Sequence, residues 1–134
     1  MFTRWALRPD SGGTGRSRGG LGAVYEIELL EQQADVFLFG ERGRFAPPGV
    51  LGGGAGALNR FTVMRGNGRE DHPPMASKWV GVKLAKGECV RLETPGGGGY
   101  GPAAERSADA IARDIDNGYV TSADKTPSGS RGVA

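Results

Sequence analysis

Alternating hydrophobic and polar residues predict a series of short β-strands in the first two thirds of the chain. Trp5 and Leu7 alternate with Arg4 and Ala6, which indicates a strand at the start of the sequence. Ala23, Tyr25, Ile27 and Leu29 share one face, and Glu26 and Glu28 occupy the other, a pattern typical of a half-buried strand.

Further strands are predicted between residues 36 and 93. Residues 36–39 form a continuous apolar run, and the short connection at residues 31–35 predicts antiparallel pairing with the strand before it. Phe61 and Val63 predict another short strand. Alternation on both sides of a Lys-Gly pair at residues 86–87 predicts a hairpin.

Near the C-terminus the spacing of the apolar residues changes to that of a helix. Four apolar residues between Ala108 and Ile115 recur at spacings that place them on one face of a helix. Ser107 is a suitable N-cap, and an Asn-Gly pair at residues 117–118 is a suitable end. We therefore predict a mainly β fold with a C-terminal helix (α+β), in which antiparallel strands are linked by long Gly-rich loops.

Composition narrows this prediction. The 134 residues suffice for one domain, expected over residues 1–120 and followed by a frayed tail at residues 121–134. Glycine supplies 25 residues and hydrophobic residues only 37%, so we expect tight turns and close backbone packing. The net charge of +2 does not predict a nucleic-acid partner, and no apolar run is long enough for a membrane span. A single cysteine, Cys89, favours a cytoplasmic location.

Two glycine-rich blocks are the most specific feature of the chain. Residues 8–22 read RPDSGGTGRSRGGLG, and residues 93–101 read ETPGGGGYG. Backbone N–H groups in such a block could cradle a phosphate, but the spacings of P-loops and of dinucleotide-binding loops are both absent. In the structural alternative, Asp10 and Ser11 cap a turn while the glycines leave room for a neighbouring chain.

These blocks predict a structural or interface site and leave the catalytic residues unknown, because glycine contributes no reactive side chain. Four anchors are expected to hold the blocks in shape, and one of them, Tyr100, is expected to bury its ring. The anchors are Asp10, Ser11, Arg18 and Tyr100. The residues of the whole candidate site are Arg8, Asp10, Ser11, Gly12, Gly13, Arg18, Gly19, Gly20, Thr94, Gly96, Gly97, Gly98, Gly99 and Tyr100.

The single histidine, His72, suggests two other kinds of site. It follows Glu70 and Asp71, and these side chains could bind a metal ion. Three adjacent residues rarely converge on one ion, so we predict no metal site here. A Ser-His-Asp triad that uses Ser11 or Ser77 has no further support in the sequence.

Arginines that lie close to aromatic residues form a further candidate surface. Such a surface could bind single-stranded nucleic acid, although the small net charge favours a wet protein interface. The residues are Arg42, Arg44, Arg60, Arg65 and Arg69, with Phe45 and Phe61.

Several motifs, taken in order, resemble the C-terminal part of the hydantoinase B/oxoprolinase family. They are the two glycine blocks, Arg42 to Phe45 with Pro47 and Gly49, Gly52-Gly53, Ser77-Lys78, and residues 114–120. The resemblance implies ATP-dependent hydrolysis of a cyclic amide, such as a hydantoin or 5-oxoproline. The alternatives are a piece of a related ATP-dependent ketone carboxylase and a free-standing, non-catalytic binding module.

The same resemblance implies partners and cofactors. Family members are several hundred residues long, so the chain corresponds to a C-terminal fragment that acts mainly as a scaffold and is inactive alone. The implied partners are a hydantoinase A-type subunit or domain and the missing N-terminal part of the B-type subunit. ATP and a divalent metal are expected in the full assembly, with neither bound by this segment.

Overall fold

The computed structural model describes residues 1–122, which form antiparallel β-structure and one C-terminal α-helix. The predicted fold class is therefore confirmed. The strands are β1 (Phe2–Leu7), β2 (Ala23–Glu28), β3 (Gln33–Phe39), β4 (Arg60–Met64), β5 (Glu70–Asp71), β6 (Lys78–Ala85) and β7 (Cys89–Glu93). A 3-10 turn at Ala103–Glu105 precedes the helix α1 (Ala108–Asp116).

The strands form two sheets, and their pairing corrects two predictions. The larger sheet has the order β1-β2-β7-β4-β5, and the smaller consists of β3 and β6. Strand β3 pairs with β6 rather than with β2, which lies between β1 and β7. The turn at residues 86–87 is present, with the Glu88 amide donating to Ala85 at 3.0 Å. It carries the chain from one sheet to the other and closes no hairpin, because β7 pairs with β2 and β4.

The hydrophobic core lies where the small sheet covers the β4–β7 side of the large sheet. Val63 is fully buried, and Phe61 packs edge-on against Trp79 with ring centroids 6.3 Å apart. Alternation along the strands places the buried side chains of both sheets toward each other. The core consists of Leu38, Phe61, Val63, Val82 and Leu84.

The same face of the large sheet is uncovered over β1 and β2. Trp5 is 72% exposed and stacks on Tyr25 with ring centroids 5.0 Å apart. Phe2 and Leu7 are also exposed. We call Phe2, Trp5, Leu7 and Tyr25 the aromatic edge. Val24, on the opposite face of β2, is the buried residue of that strand.

The ends of α1 confirm the predicted caps, but its buried face differs from the prediction. The Ser107 hydroxyl accepts a hydrogen bond from the Ala110 amide at 3.3 Å, and Gly118 after the helix has a left-handed φ of 68°. The buried residue is Asp114, whereas Ile115 on the apolar stripe is 38% exposed. The helix therefore docks through a polar contact, described below.

The predicted frayed tail at residues 121–134 falls largely outside the described residues. Within the described part, the Thr121 amide and hydroxyl both donate to the Asp10 carboxylate, at 2.9 and 2.7 Å. No helix in residues 1–122 has the length and apolar character needed to cross a membrane.

Candidate functional site

Three glycine-rich segments lie against one another and form what we call the glycine layer. They are residues 8–22, 47–57 and 95–101, and none of them belongs to either sheet. Backbone hydrogen bonds join each segment to the other two. Gly13 donates to Gly97 at 2.8 Å, Gly54 to Thr14 at 2.7 Å, and Gly99 to Gly54 at 2.9 Å.

Most glycines of this layer leave no space for a side chain. A Cβ atom at Gly96 would overlap the carbonyl oxygen of Ser11, and one at Gly13 would overlap the carbonyl of Gly54. A Cβ atom at Gly19 would overlap the carbonyl of Gly97. The clashing atoms belong to the backbone and cannot rotate away, so only glycine fits at these positions. Collagen uses glycine at its crowded axis for the same reason.

The hydrogen-bond donors of the glycine layer are directed at the protein itself. Within residues 1–122, eight glycine N–H groups of the layer donate to backbone carbonyls, namely those of Gly13, Gly19, Gly53, Gly54, Gly56, Gly97, Gly99 and Gly101. A phosphate-binding nest requires such groups to point at the ligand. The N–H groups that form these bonds are therefore not available to a phosphate, and their geometry favours the structural alternative.

Two side chains of the candidate site brace the layer from within. Ser11 is 1% exposed, and its hydroxyl donates to the Arg8 carbonyl at 2.6 Å and accepts from the Gly22 amide at 2.8 Å. The Arg8 guanidinium donates to the carbonyls of Leu58 and Thr94 at 2.7 and 3.0 Å. Burial lowers the pKa of Arg8, while the neighbouring Glu93 opposes that shift.

Thr94 links the layer to the large sheet. Its hydroxyl accepts a hydrogen bond from the Ala23 amide at 2.7 Å, and its own amide donates to the Ala23 carbonyl at 2.8 Å. The layer and the sheet are therefore joined at the first residue of β2.

A buried ion cluster holds α1 against the first glycine block. Asp114 accepts hydrogen bonds from Arg18 at 3.1 Å and from Arg106 at 2.6 Å, and it is 7% exposed. Burial disfavours the carboxylate, but the bonds from the two guanidinium groups outweigh it and hold the pKa of Asp114 below its ordinary value. The Arg18 guanidinium also lies over the ring of Tyr119, 5.3 Å from its centroid.

The expected anchors therefore perform different tasks. Ser11 braces the glycine layer, whereas Arg18 and Asp10 hold the C-terminal segment. Asp10 has a left-handed φ of 59°, and its carboxylate binds Thr121. Tyr100 does not bury its ring as predicted, because the ring is 43% exposed beneath the Arg16 guanidinium.

Not every glycine of the two blocks is closely packed. A Cβ atom at Gly20 would meet nothing within 4 Å, although its neighbour Gly19 is enclosed by backbone. The second block is packed more uniformly, since Cβ atoms at Gly98 and Gly99 would overlap the carbonyls of Pro48 and Thr14.

Within residues 1–122, the side chains considered for a metal site or for a Ser-His-Asp triad do not come together. The Nδ1 atom of His72 lies 3.4 Å from the Thr62 hydroxyl, and Asp71 instead accepts from Arg65 at 2.7 Å. Among residues 1–122, no three His, Cys, Asp or Glu side chains come together as metal ligands could. The Ser11 hydroxyl is already bonded to backbone groups and therefore does not contact His72.

The candidate surface of arginine and phenylalanine residues is interrupted by ion pairs and by the hydrophobic core. Arg60, Arg65 and Arg69 form ion pairs with carboxylates, at 3.7, 2.7 and 2.8 Å respectively. Phe61 lies in the core. Of the two phenylalanines of this candidate surface, only Phe45 is exposed.

Sequence reasoning missed the middle segment of the glycine layer and the ion cluster. The pattern of residues did not group residues 47–57 with the two glycine blocks, although the glycines at 52, 53, 54 and 56 repeat the density of those blocks. Asp114 carried no such signal, because an aspartate in a short helix is ordinarily solvent-exposed.

The sequence of this chain matches one protein family and several of its members. The family model described as Hydantoinase B/oxoprolinase matches residues 1–103. The caprolactamase subunit beta of Pseudomonas jessenii is 36% identical over 129 residues, covering 90% of this chain and 21% of the subunit. The 5-oxoprolinase of Dictyostelium discoideum is 33% identical over 101 residues, covering 75% of this chain and 8% of that protein. The chain thus spans about a fifth or less of these relatives.

Solved structures share the fold. The crystal structure of ATP-dependent caprolactamase from Pseudomonas jessenii has a TM-score of 0.73 at 28% identity, over 92% of this chain and 21% of that one. Nucleotide-free acetone carboxylase has a TM-score of 0.75 at 19% identity, over 93% of this chain and 20% of that one. The second likeness shows a common fold alone.

Proposed function

The chain belongs to the hydantoinase B/oxoprolinase family, and we propose that it supplies the C-terminal piece of a B-type subunit in an ATP-dependent cyclic-amide hydrolase. Its task in that assembly is to form a rigid scaffold. The observation that carries this proposal is the glycine layer, whose segments are too closely packed to admit side chains. Closely packed backbone of this kind offers shape and rigidity, and glycine contributes no reactive side chain.

The remainder of the B-type subunit packs against the aromatic edge. One half of the apolar face of the large sheet is covered by β3 and β6, and the other half carries an exposed Trp5. Sheets in compact domains bury their apolar face against a second layer. Large exposed apolar patches mark interaction sites. The edge is continuous with the core, which suits a layer from the same subunit.

The cofactors belong to other parts of the assembly. We propose that ATP and a divalent metal act with a hydantoinase A-type subunit, and the glycine N–H groups that bond to backbone carbonyls within residues 1–122 support this assignment. We therefore derive no chemical step on this segment. The single cysteine, Cys89, suits a reducing cytoplasm.

Reassembly tests the proposal. The chain would be co-expressed with the remaining segment of a B-type subunit and with an A-type subunit, and ATP hydrolysis that depends on a lactam or on 5-oxoproline would be measured. We expect activity only when all three parts are present. A stable monomer that binds neither part would contradict the proposal and favour a free-standing binding module.

Substitution of the aromatic edge makes that test specific. Trp5→Ala should abolish co-purification with the remaining B-type segment while leaving the melting temperature nearly unchanged, because the side chain is already exposed. Leu51→Ala is the matched control, since Leu51 is 69% exposed at a different place. Equal effects of the two substitutions would rule out the aromatic edge as the docking surface.

Replacing the cyclic amide by a ketone and bicarbonate in the same assay tests the carboxylase alternative.

A further inference from the structure

A second exposed surface lies away from the aromatic edge and has a different chemistry. Two loops, residues 41–45 and 74–78, border an open groove of about 900 Å³. Its margins carry Arg42, Arg44 and Lys78 together with Phe45 and Met75. We call these five residues the cationic groove.

Among residues 1–122, the positive charges of the groove form no ion pair with a carboxylate. Fifteen lysines and arginines lie in residues 1–122, and ten of them form ion pairs. Of the remaining five in the same range, three line this one groove. One carboxylate, Glu41, also lies there, so the groove carries a net positive charge. Since this chain pairs most of its cations internally, the cluster left unpaired is a place where an external anion fits.

The apolar part of the groove projects outward. Phe45 is 72% exposed with Arg44 over its ring, and Met75 is 61% exposed. Phe39 is 73% exposed and pairs in register with Lys78, so the apolar surface continues onto the outer face of β3. Phenylalanine, methionine and arginine are enriched in protein interfaces. Side chains that project in this way suit a protein surface better than an enclosed small molecule.

The two loops are held in place before any partner binds. Arg42 has a left-handed φ of 61°, and its carbonyl accepts from the Asn59 amide at 2.9 Å. Gly40 donates to the Ser77 carbonyl at 2.8 Å. A Cβ atom at Gly43 would overlap the Ser77 hydroxyl, so the loops touch directly. A preformed surface loses little conformational freedom on association.

We propose that the cationic groove is the docking surface for the ATP-using A-type subunit, through a face of that subunit that presents apolar side chains flanked by carboxylates. This inference rests on the proposed function. It assigns the two exposed surfaces to different occupants. The uncharged aromatic edge receives the rest of the same subunit, and the charged groove receives a separate chain, which must be steered and selected by electrostatics.

A pair of charge reversals tests the assignment. Lys78→Glu in the groove is compared with Lys86→Glu. Lys86 also forms no ion pair within the part of the chain that the structure describes, but it lies in the turn between β6 and β7. The affinity of the A-type subunit for the reassembled B-type subunit is measured at low and high salt. We expect Lys78→Glu to weaken binding at low salt by about tenfold or more, and Lys86→Glu by less than about twofold.

Further variants separate the possible failures. Phe45→Ala should weaken binding at every salt concentration, because the lost contact is apolar. If the wild-type assembly hydrolyses ATP but Lys78→Glu, Arg44→Glu and Phe45→Ala all bind normally, the groove proposal is wrong and the proposed function stands. If the wild-type chain neither binds nor supports turnover, both are wrong. Concentration-dependent self-association of the chain that Phe45→Ala abolishes would assign the groove to a second copy instead.

Discussion

The two halves of this molecule are held together in opposite ways. Between the sheets, side chains such as Val63 and Phe61 fill the space and the backbone stays apart. In the glycine layer, carbonyls and amides of neighbouring segments touch, and most of the glycines leave no room for a side chain. The core tolerates changes in proportion to the volume removed. The glycine layer should tolerate loss of polar anchors better than the addition of a single methyl group.

This difference explains what each half contributes to function. Burial of apolar side chains supplies stability but allows local repacking. A layer with backbone on every side has no rotamers to adjust, and it fixes the positions of the loops that leave it. The residues that project from the molecule, at the aromatic edge and the cationic groove, are therefore presented from a rigid base.

The largest effect is expected from a methyl group added inside the layer. Gly96→Ala would drive Cβ into the backbone of Ser11, and we expect a loss of at least about 3 kcal/mol in unfolding free energy or failure to fold. Urea unfolding measures the loss. Gly66→Ala is the control, because a Cβ atom there would meet nothing within 4 Å. Equal losses would show that glycine entropy, rather than close contact, governs both sites.

A cavity in the core should have a smaller effect. Val63 is completely buried, and Val63→Ala should cost about 2 to 3 kcal/mol through lost burial and the space left behind. Unfolding should remain cooperative, because the surrounding side chains can relax. A loss larger than that of Gly96→Ala would reverse the comparison between the two halves.

Removal of the buried charge should have the smallest effect. Asp114→Asn keeps the shape of the side chain but leaves two guanidinium groups without a carboxylate, at a cost of about 1 to 2 kcal/mol, between the values for exposed and buried pairs. The detachment of α1 should be visible by hydrogen exchange before global unfolding. Protection of α1 equal to that of the wild type would argue against the ion cluster as its main attachment.

The same cluster predicts a pH dependence with a definite sign. The pKa of Asp114 is lowered in the folded chain, so the native state binds fewer protons than the unfolded state. The stability it contributes is present above the unfolded value of about 3.9 and is lost as pH falls through the lower folded value. The difference in unfolding free energy between wild type and Asp114→Asn should therefore be present at neutral pH and disappear in acid. Unfolding curves of both proteins at the two pH values measure it. A constant difference between the two proteins would contradict this.

Local features could be predicted from the sequence, and long-range ones could not. The caps of α1 followed from Ser107 and Gly118 because those contacts lie within a few residues. The pairing of β3 did not follow, since alternation identifies the face of a strand and not its neighbour. Asp114 is buried because of Arg18, which lies 96 positions away.

The glycine layer could be predicted from the sequence only in part. Two of its segments were recognised from the blocks themselves. The third was not recognised as part of the layer, because glycine has no side chain and therefore shows no periodicity. The interface role of the site residues stays a prediction.

Adjacent glycines in the first block give the most direct test of how the layer is held. Gly19 is enclosed by the carbonyls of Gly97 and Gly98, whereas Gly20 faces open space. The same substitution, glycine to alanine, is made at each position, and the melting temperatures are compared. We predict that Gly19→Ala melts far below wild type or does not fold, while Gly20→Ala melts within a few degrees of it. Equal melting temperatures for the two variants would contradict a layer held by direct backbone contact.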